Sequence, residues 1–87
     1  MRDTLGDVLK RHFTRETGLC IKSEEHYFAE SYETDWCDFF DGEVGDFLDR
    51  ADMKKLRDID SVVDCEITFD VIDCLVYVTV YDHVLQD

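Results

Sequence analysis

Bases are scarce in this chain beside its acids. Lysine and arginine number 9 against 22 aspartates and glutamates, a formal net charge of −13. Such a surface repels nucleic acid and anionic membrane and attracts basic surfaces, so direct binding to DNA, RNA or lipid headgroups is not expected. Proline is absent. The four cysteines, Cys20, Cys37, Cys65 and Cys74, form no C-x-x-C, which excludes a zinc ribbon and a thioredoxin-like redox motif. There is no G-x-S-x-G, no P-loop and no G-x-G-x-x-G. The longest apolar run, "CLVYVTVY", is far too short to span a bilayer, and "MRDTLGDVLK" lacks the apolar core of a secretory signal. These absences point to one soluble, cytoplasmic domain over residues 1–87, without cofactor or catalytic site and with reduced thiols, although an even cysteine count admits disulfides.

What is present is enough to fold. Apolar residues make up 45% of the chain, with one Trp, four Tyr and six Phe, whereas disordered acidic tails lack aromatics and β-branched residues. The charge is unevenly placed. Residues 23–49 hold ten acids and no base, and residues 58–87 hold eight acids and no base. The bases fall in 1–22 and 50–57.

"DTLGDVLKRHFTRETG" reads as a helix capped by Asp3 or Thr4, with Leu5, Val8, Leu9, His12 and Phe13 on its apolar stripe and Gly18 as its stop. His12 would then be a partnered core histidine. "LCIKS" (19–23) reads as a strand. "HYFAESY" (26–32) fits a second strand but also helical spacing through Phe28, Tyr32 and Trp36. The segment 35–52, "DWCDFFDGEVGDFLDRAD", reads as one helix with Trp36, Phe40, Val44, Phe47, Leu48 and Ala51 on one side and Asp35, Asp38, Asp41, Asp46, Asp49 and Asp52 on the other. "MKKLRDI" follows as a short helix or turn capped by Asp52. "VDCEITF" and "CLVYVTVYD" read as a hairpin around the loop Asp70–Asp73, with Phe69 opposite Cys74, Ile67 opposite Val76 and Cys65 opposite Val78. The expected fold is α+β, in the order α-β-β-α-β-β, with a four-stranded, mostly antiparallel sheet and helices on one face.

An EF-hand at "DFFDGEVGDFLD" fails: with Gly42 at its sixth position, Cys37, Phe39 and Leu48 would stand where oxygen ligands are needed. His12, His26 and His83 show no metal-ligand spacing with the cysteines. A Cys20–His26 pair would sit in a negative surround that disfavours the thiolate. The spaced aspartates remain. On one helix Asp35 to Asp52 would span ~25 Å, with carboxylates about 5 Å apart along the axis, a spacing near that of phosphates along a nucleic-acid strand. Lacking any base, the block 23–49 cannot use these acids for intrahelical ion pairs.

In its size, its acidity and these spaced carboxylates the chain is similar, as a class, to the DNA-mimic inhibitors of phages and mobile elements, among them anti-restriction and anti-CRISPR proteins. The resemblance implies a viral protein that inhibits by binding, its partner a basic nucleic-acid-binding protein such as a nuclease or effector complex, met in the host cytoplasm. The expected contacts are the six aspartates with Glu24, Glu25, Glu30 and Glu33, and Tyr27, Tyr32 and Phe39 as aromatic anchors. Two alternatives stand beside it: a salt-adapted cytosolic protein, acidic for solubility, and a small subunit of a larger assembly or a homodimer. For the last, Val71 and Ile72 are apolar at a hairpin tip, where turns are usually polar.

Overall fold

The computed structural model describes residues 3–23 and 39–85. The segment expected as a second strand at 26–32 lies outside them, as do Glu24, Glu25, Tyr27, Glu30, Tyr32, Glu33, Asp35 and Asp38.

Helix α1 (Leu5–His12) starts as its sequence dictates. The Thr4 hydroxyl accepts from the Asp7 N–H at 3.2 Å and the Asp7 carboxylate turns back to the Thr4 N–H, a reciprocal cap. Lys10, Arg11 and His12 occupy the last turn, where cations suit the helix dipole. The helix stops six residues before Gly18, because Phe13 takes an extended backbone and residues 14–17 turn, with the Thr17 N–H donating to the Thr14 carbonyl. Leu5 and Leu9 are fully buried, but His12 is exposed. The expectation of a core histidine does not hold.

Strands β1 (Gly18–Ser23), β2 (Phe40–Glu43), β3 (Cys65–Asp70) and β4 (Leu75–Val80) form one sheet in the order β2-β1-β4-β3. The β1–β2 and β3–β4 pairs are antiparallel, and β1 runs parallel to β4 at the centre. The strand β1 therefore pairs with residues 40–43, where the sequence pattern predicts helix. Local periodicity fitted a helix there, but a backbone carrying Gly42 gains little from one, and pairing with β1 satisfies it instead. The ladder continues beyond the strand, with Phe39 N–H donating to Ile21, Val44 N–H to Thr17 and Gly45 N–H to Arg15. Helix α2 (Val44–Asp49) follows directly, then a 3₁₀ turn (Ala51–Met53) and the single-turn helix α3 (Lys54–Arg57). Asp52 lies inside the 3₁₀ turn and caps nothing; no side chain caps the start of α3.

The β3–β4 hairpin has the expected faces in a different register. Cys65 opposes Val80, Ile67 opposes Val78 and Phe69 opposes Val76, while Glu66 opposes Thr79 and Thr68 opposes Tyr77. The loop keeps its four residues but moves one position along, to 71–74. Two local features place it. The Asp70 carboxylate accepts from the N–H groups of Ile72 and Asp73 at 3.0 and 3.2 Å, and Cys74 takes the left-handed conformation at φ 52°. A two-residue shift preserves the side-chain alternation, which is why the apolar face survives. The short helix α4 (Asp82–Leu85) ends the described chain.

Helices α1 and α2 lie over one face of the sheet. Leu5, Leu9, Val44, Phe47 and Ile59 pack on Leu19, Ile21, Phe40, Cys65, Val76, Val78 and Val80. Phe40 and Phe47 meet edge to face at 5.4 Å. No helix among the described residues is long and apolar enough to cross a membrane.

Candidate acidic interaction surface

The fold distributes the expected aspartate row over three kinds of backbone. Asp41 is on β2, Asp46 and Asp49 are on α2, and Asp52 is in the 3₁₀ turn. A straight helical ridge across 40–52 therefore does not exist. The direction change follows from β2, whose alternation sends Asp41 and Glu43 to the sheet face opposite the helices.

Two of the four described aspartates are neutralised within the molecule. Arg15 donates to the Asp49 carboxylate. Arg50 grips Asp52 through two bonds, at 3.0 and 2.6 Å. These hydrogen bonds, reinforced by charge attraction, raise the affinity of both arginines for their protons and hold Asp52 below the usual carboxylate range. Other bases are spent in the same way, Arg11 on Asp3 at 2.9 Å and Lys54 on Asp58 at 2.7 Å. Arg57 turns inward and donates to the main-chain carbonyls of Phe47, at 2.7 Å, and Arg50.

Of the described row, Asp41 and Asp46 remain without an ion pair, at the β2–α2 corner, although Asp46 lies near enough to Arg15 and Arg50 to strengthen their hold on their protons. Asp41, Glu43 and Asp46 are exposed, and none makes an ion pair among the described residues. An Asp46 carboxylate oxygen lies 3.8 Å from where a Cβ on Gly42 would stand, on the helix side of β2, so Asp46 and the Asp41–Glu43 pair flank this edge strand from opposite faces. Phe39, expected as an anchor, is half-buried beside them and packs on the core. Glu43 was not among the expected contacts. Its signal was the period-two spacing of Asp41 and Glu43 about Gly42.

The sheet face away from the helices extends this pattern. Its rows run Glu43–Gly18–Leu75–Asp70 and Asp41–Cys20–Tyr77–Thr68, with Lys22, Thr79 and Glu66 beyond. Acids therefore line both margins, around a centre where the Lys22 ammonium stands 5.5 Å from the Tyr77 ring.

Reactive chemistry is sparse among the described groups. Cys20, nearly fully buried, is disulfide-bonded, which corrects the expectation of reduced thiols at that position. Cys65 and Cys74 are free. Burial, with Asp64 and Asp60 nearby, pushes the Cys65 thiol up to about 12, far from a nucleophile's range. His83 meets the Asp64 carboxylate at 2.8 Å. A shallow cleft of about 330 Å³ between α1, α2 and α3 is lined by Lys10, Arg15 and Arg57 alternating with Asp7, Asp49 and Asp58, and so offers no single sign of charge. No three His, Cys, Asp or Glu side chains among the described residues are grouped to hold a metal ion.

Compared with known proteins, the chain matches no protein-family model, no curated protein and no solved structure.

Proposed function

We propose that this chain is a non-enzymatic binding module that docks its acidic surface on the basic nucleic-acid channel of a nuclease or effector complex and occludes it, in the manner of the DNA-mimic inhibitors it resembles. The observation that carries this reading is the internal neutralisation of the bases. Arg11, Arg15, Arg50 and Lys54 each hold an acid of their own chain, while Asp41, Glu43 and Asp46 keep their charges outward.

The geometry changes the form of the mimicry. Contact rests on the corner of β2 and α2, with acids on both sides of an edge strand, not on a row of carboxylates along one helix. Fixed negative charges of this kind steer association with a cationic partner and make it salt-sensitive.

The test is capture of host proteins on the tagged, intact chain, followed by elution with duplex DNA. The reading expects basic nucleic-acid-binding proteins, released by DNA and by rising salt. Captured proteins that stay bound through both, or that still bind DNA when saturated with this chain, would overturn it.

A further inference from the structure

The large apolar residues exposed among the described part of the chain are Val62, Val63, Phe69, Val71 and Ile72. All five fall in or beside β3, an edge strand of the sheet. Val62, Val71 and Ile72 are 80%, 73% and 93% exposed, and apolar side chains gathered in this way mark interaction surfaces.

The β3 backbone is also open. The Tyr81 N–H donates to the Asp64 carbonyl, so Asp64 belongs to a hydrogen-bonded pair of the ladder. The antiparallel alternation then turns Glu66, Thr68 and Asp70 toward β4 and leaves the N–H and C=O groups of Cys65, Ile67 and Phe69 facing outward. No described strand meets that edge.

The sequence along this edge is symmetric in character about Ile67. Reading "VVDCEITFDVI" outward from its centre, Glu66 stands against Thr68, Cys65 against Phe69, Asp64 against Asp70, Val63 against Val71 and Val62 against Ile72. An antiparallel strand related by a twofold axis at Ile67 would meet the inner pairs within β3, and would bring Val62, Val63, Val71 and Ile72, which lie in the flanking turns, to the two ends of the seam. That register also joins outward-facing residues to outward-facing residues, as the hydrogen-bonded pairs Cys65–Phe69 and Ile67–Ile67 require.

We propose that β3 is the seam of a homodimer, in which two copies pair edge to edge about a twofold axis at Ile67 and continue the sheet across the interface. The Thr68 hydroxyl of each copy then lies opposite the Glu66 carboxylate of the other and can donate to it. Asp64 and Asp70 are brought together at both ends, but each carboxylate already holds donors of its own chain. Asp64 accepts from the Asp60 N–H and sits against His83, and Asp70 accepts from Ile72 and Asp73.

At these exposures the five side chains of two copies offer on the order of 700 Å² of apolar surface. In an interface about 60% apolar this corresponds to roughly 1,100–1,200 Å² in all, at the small end for specific association. Each copy carries −13, so the dimer strengthens as salt screens the repulsion.

The experiment is sedimentation equilibrium of the full chain over about 1–200 µM at low and at 0.5 M salt. It is repeated with Val71→Lys/Ile72→Lys, both exposed enough to leave the fold intact. The proposal expects a mass that doubles with concentration, more readily in high salt, and at least a tenfold weaker dimer for the lysine variant. Ile67→Cys in a Cys74→Ser background should form a covalent dimer on mild oxidation, since hydrogen-bonded partners across a seam sit ~5.5 Å apart at Cα. A monomer at every concentration, a dimer indifferent to the two lysines, or no cross-link at position 67 would overturn it.

Discussion

Arg15 braces α2 at both ends: its side chain donates to the Asp49 carboxylate, and its carbonyl accepts from the Gly45 N–H at 2.9 Å. A single residue three positions past α1 thereby fixes the helix that carries Asp46. The brace needs a bare α-carbon. A Cβ on Gly45 would stand 3.0 Å from the Arg15 Cβ and 3.1 Å from the Arg15 carbonyl oxygen.

Gly45→Ala should therefore destabilise the fold by about 1–3 kcal/mol, although alanine is ordinarily the better helix residue by about 1 kcal/mol. Urea unfolding reads the sign. Gly18→Ala should cost less, because its added methyl meets the movable end of Leu75, not backbone.

Phe47 is fully buried and packs edge to face on Phe40. Replacing it with alanine should cost about 3–5 kcal/mol. That is a large part of the total stability of a domain this small, so the urea midpoint should fall steeply.

Thiol chemistry separates the two free cysteines. Cys74 is exposed and Cys65 buried, so iodoacetamide should modify Cys74 in the native protein and Cys65 only on unfolding. The Cys65 thiol has a folded pKa of about 12 against 9.0 for the ordinary group. Its contribution to stability is whole below about 9 and is lost as pH rises toward 12, since the unfolded thiol ionises first. A native chain that alkylates Cys65 as fast as Cys74 would contradict this burial.

Thermal unfolding across a KCl series bears on the salt-adapted alternative. With Arg11, Arg15, Arg50 and Lys54 already paired internally, the fold should persist at low salt and gain only modestly as screening rises. Collapse at low salt would favour adaptation to a saline cell.

Much of this architecture was legible in the sequence where burial alternates strictly. Val76, Val78 and Val80 declared one face of β4, and any register that kept their parity had to keep the core. The two-residue shift in β3–β4 escaped because the Asp70 carboxylate and the left-handed Cys74, not the strands, place the turn. The segment 40–43 departs from its helical pattern for a different reason. Phe40, Val44, Phe47 and Leu48 fit helical spacing whether or not Phe40 is helical, and a four-residue strand holding a glycine has almost no signal of its own. Its pairing with β1 is non-local. Asp41 and Asp46 remain acids of the candidate surface, but Asp49 and Asp52 drop out because arginines distant or adjacent in sequence reach them, which spacing alone does not reveal.

The most direct test of the central claim compares two sets of charge removals on the captured partner. In one, Asp41→Asn, Glu43→Gln and Asp46→Asn are combined; in the other, Asp49→Asn and Asp52→Asn. Affinity and its salt dependence are measured for each by titration. The account predicts that the first set weakens binding at least tenfold and flattens the salt slope, while the second leaves both nearly unchanged. Equal losses from the two sets, or none from the first, would contradict it.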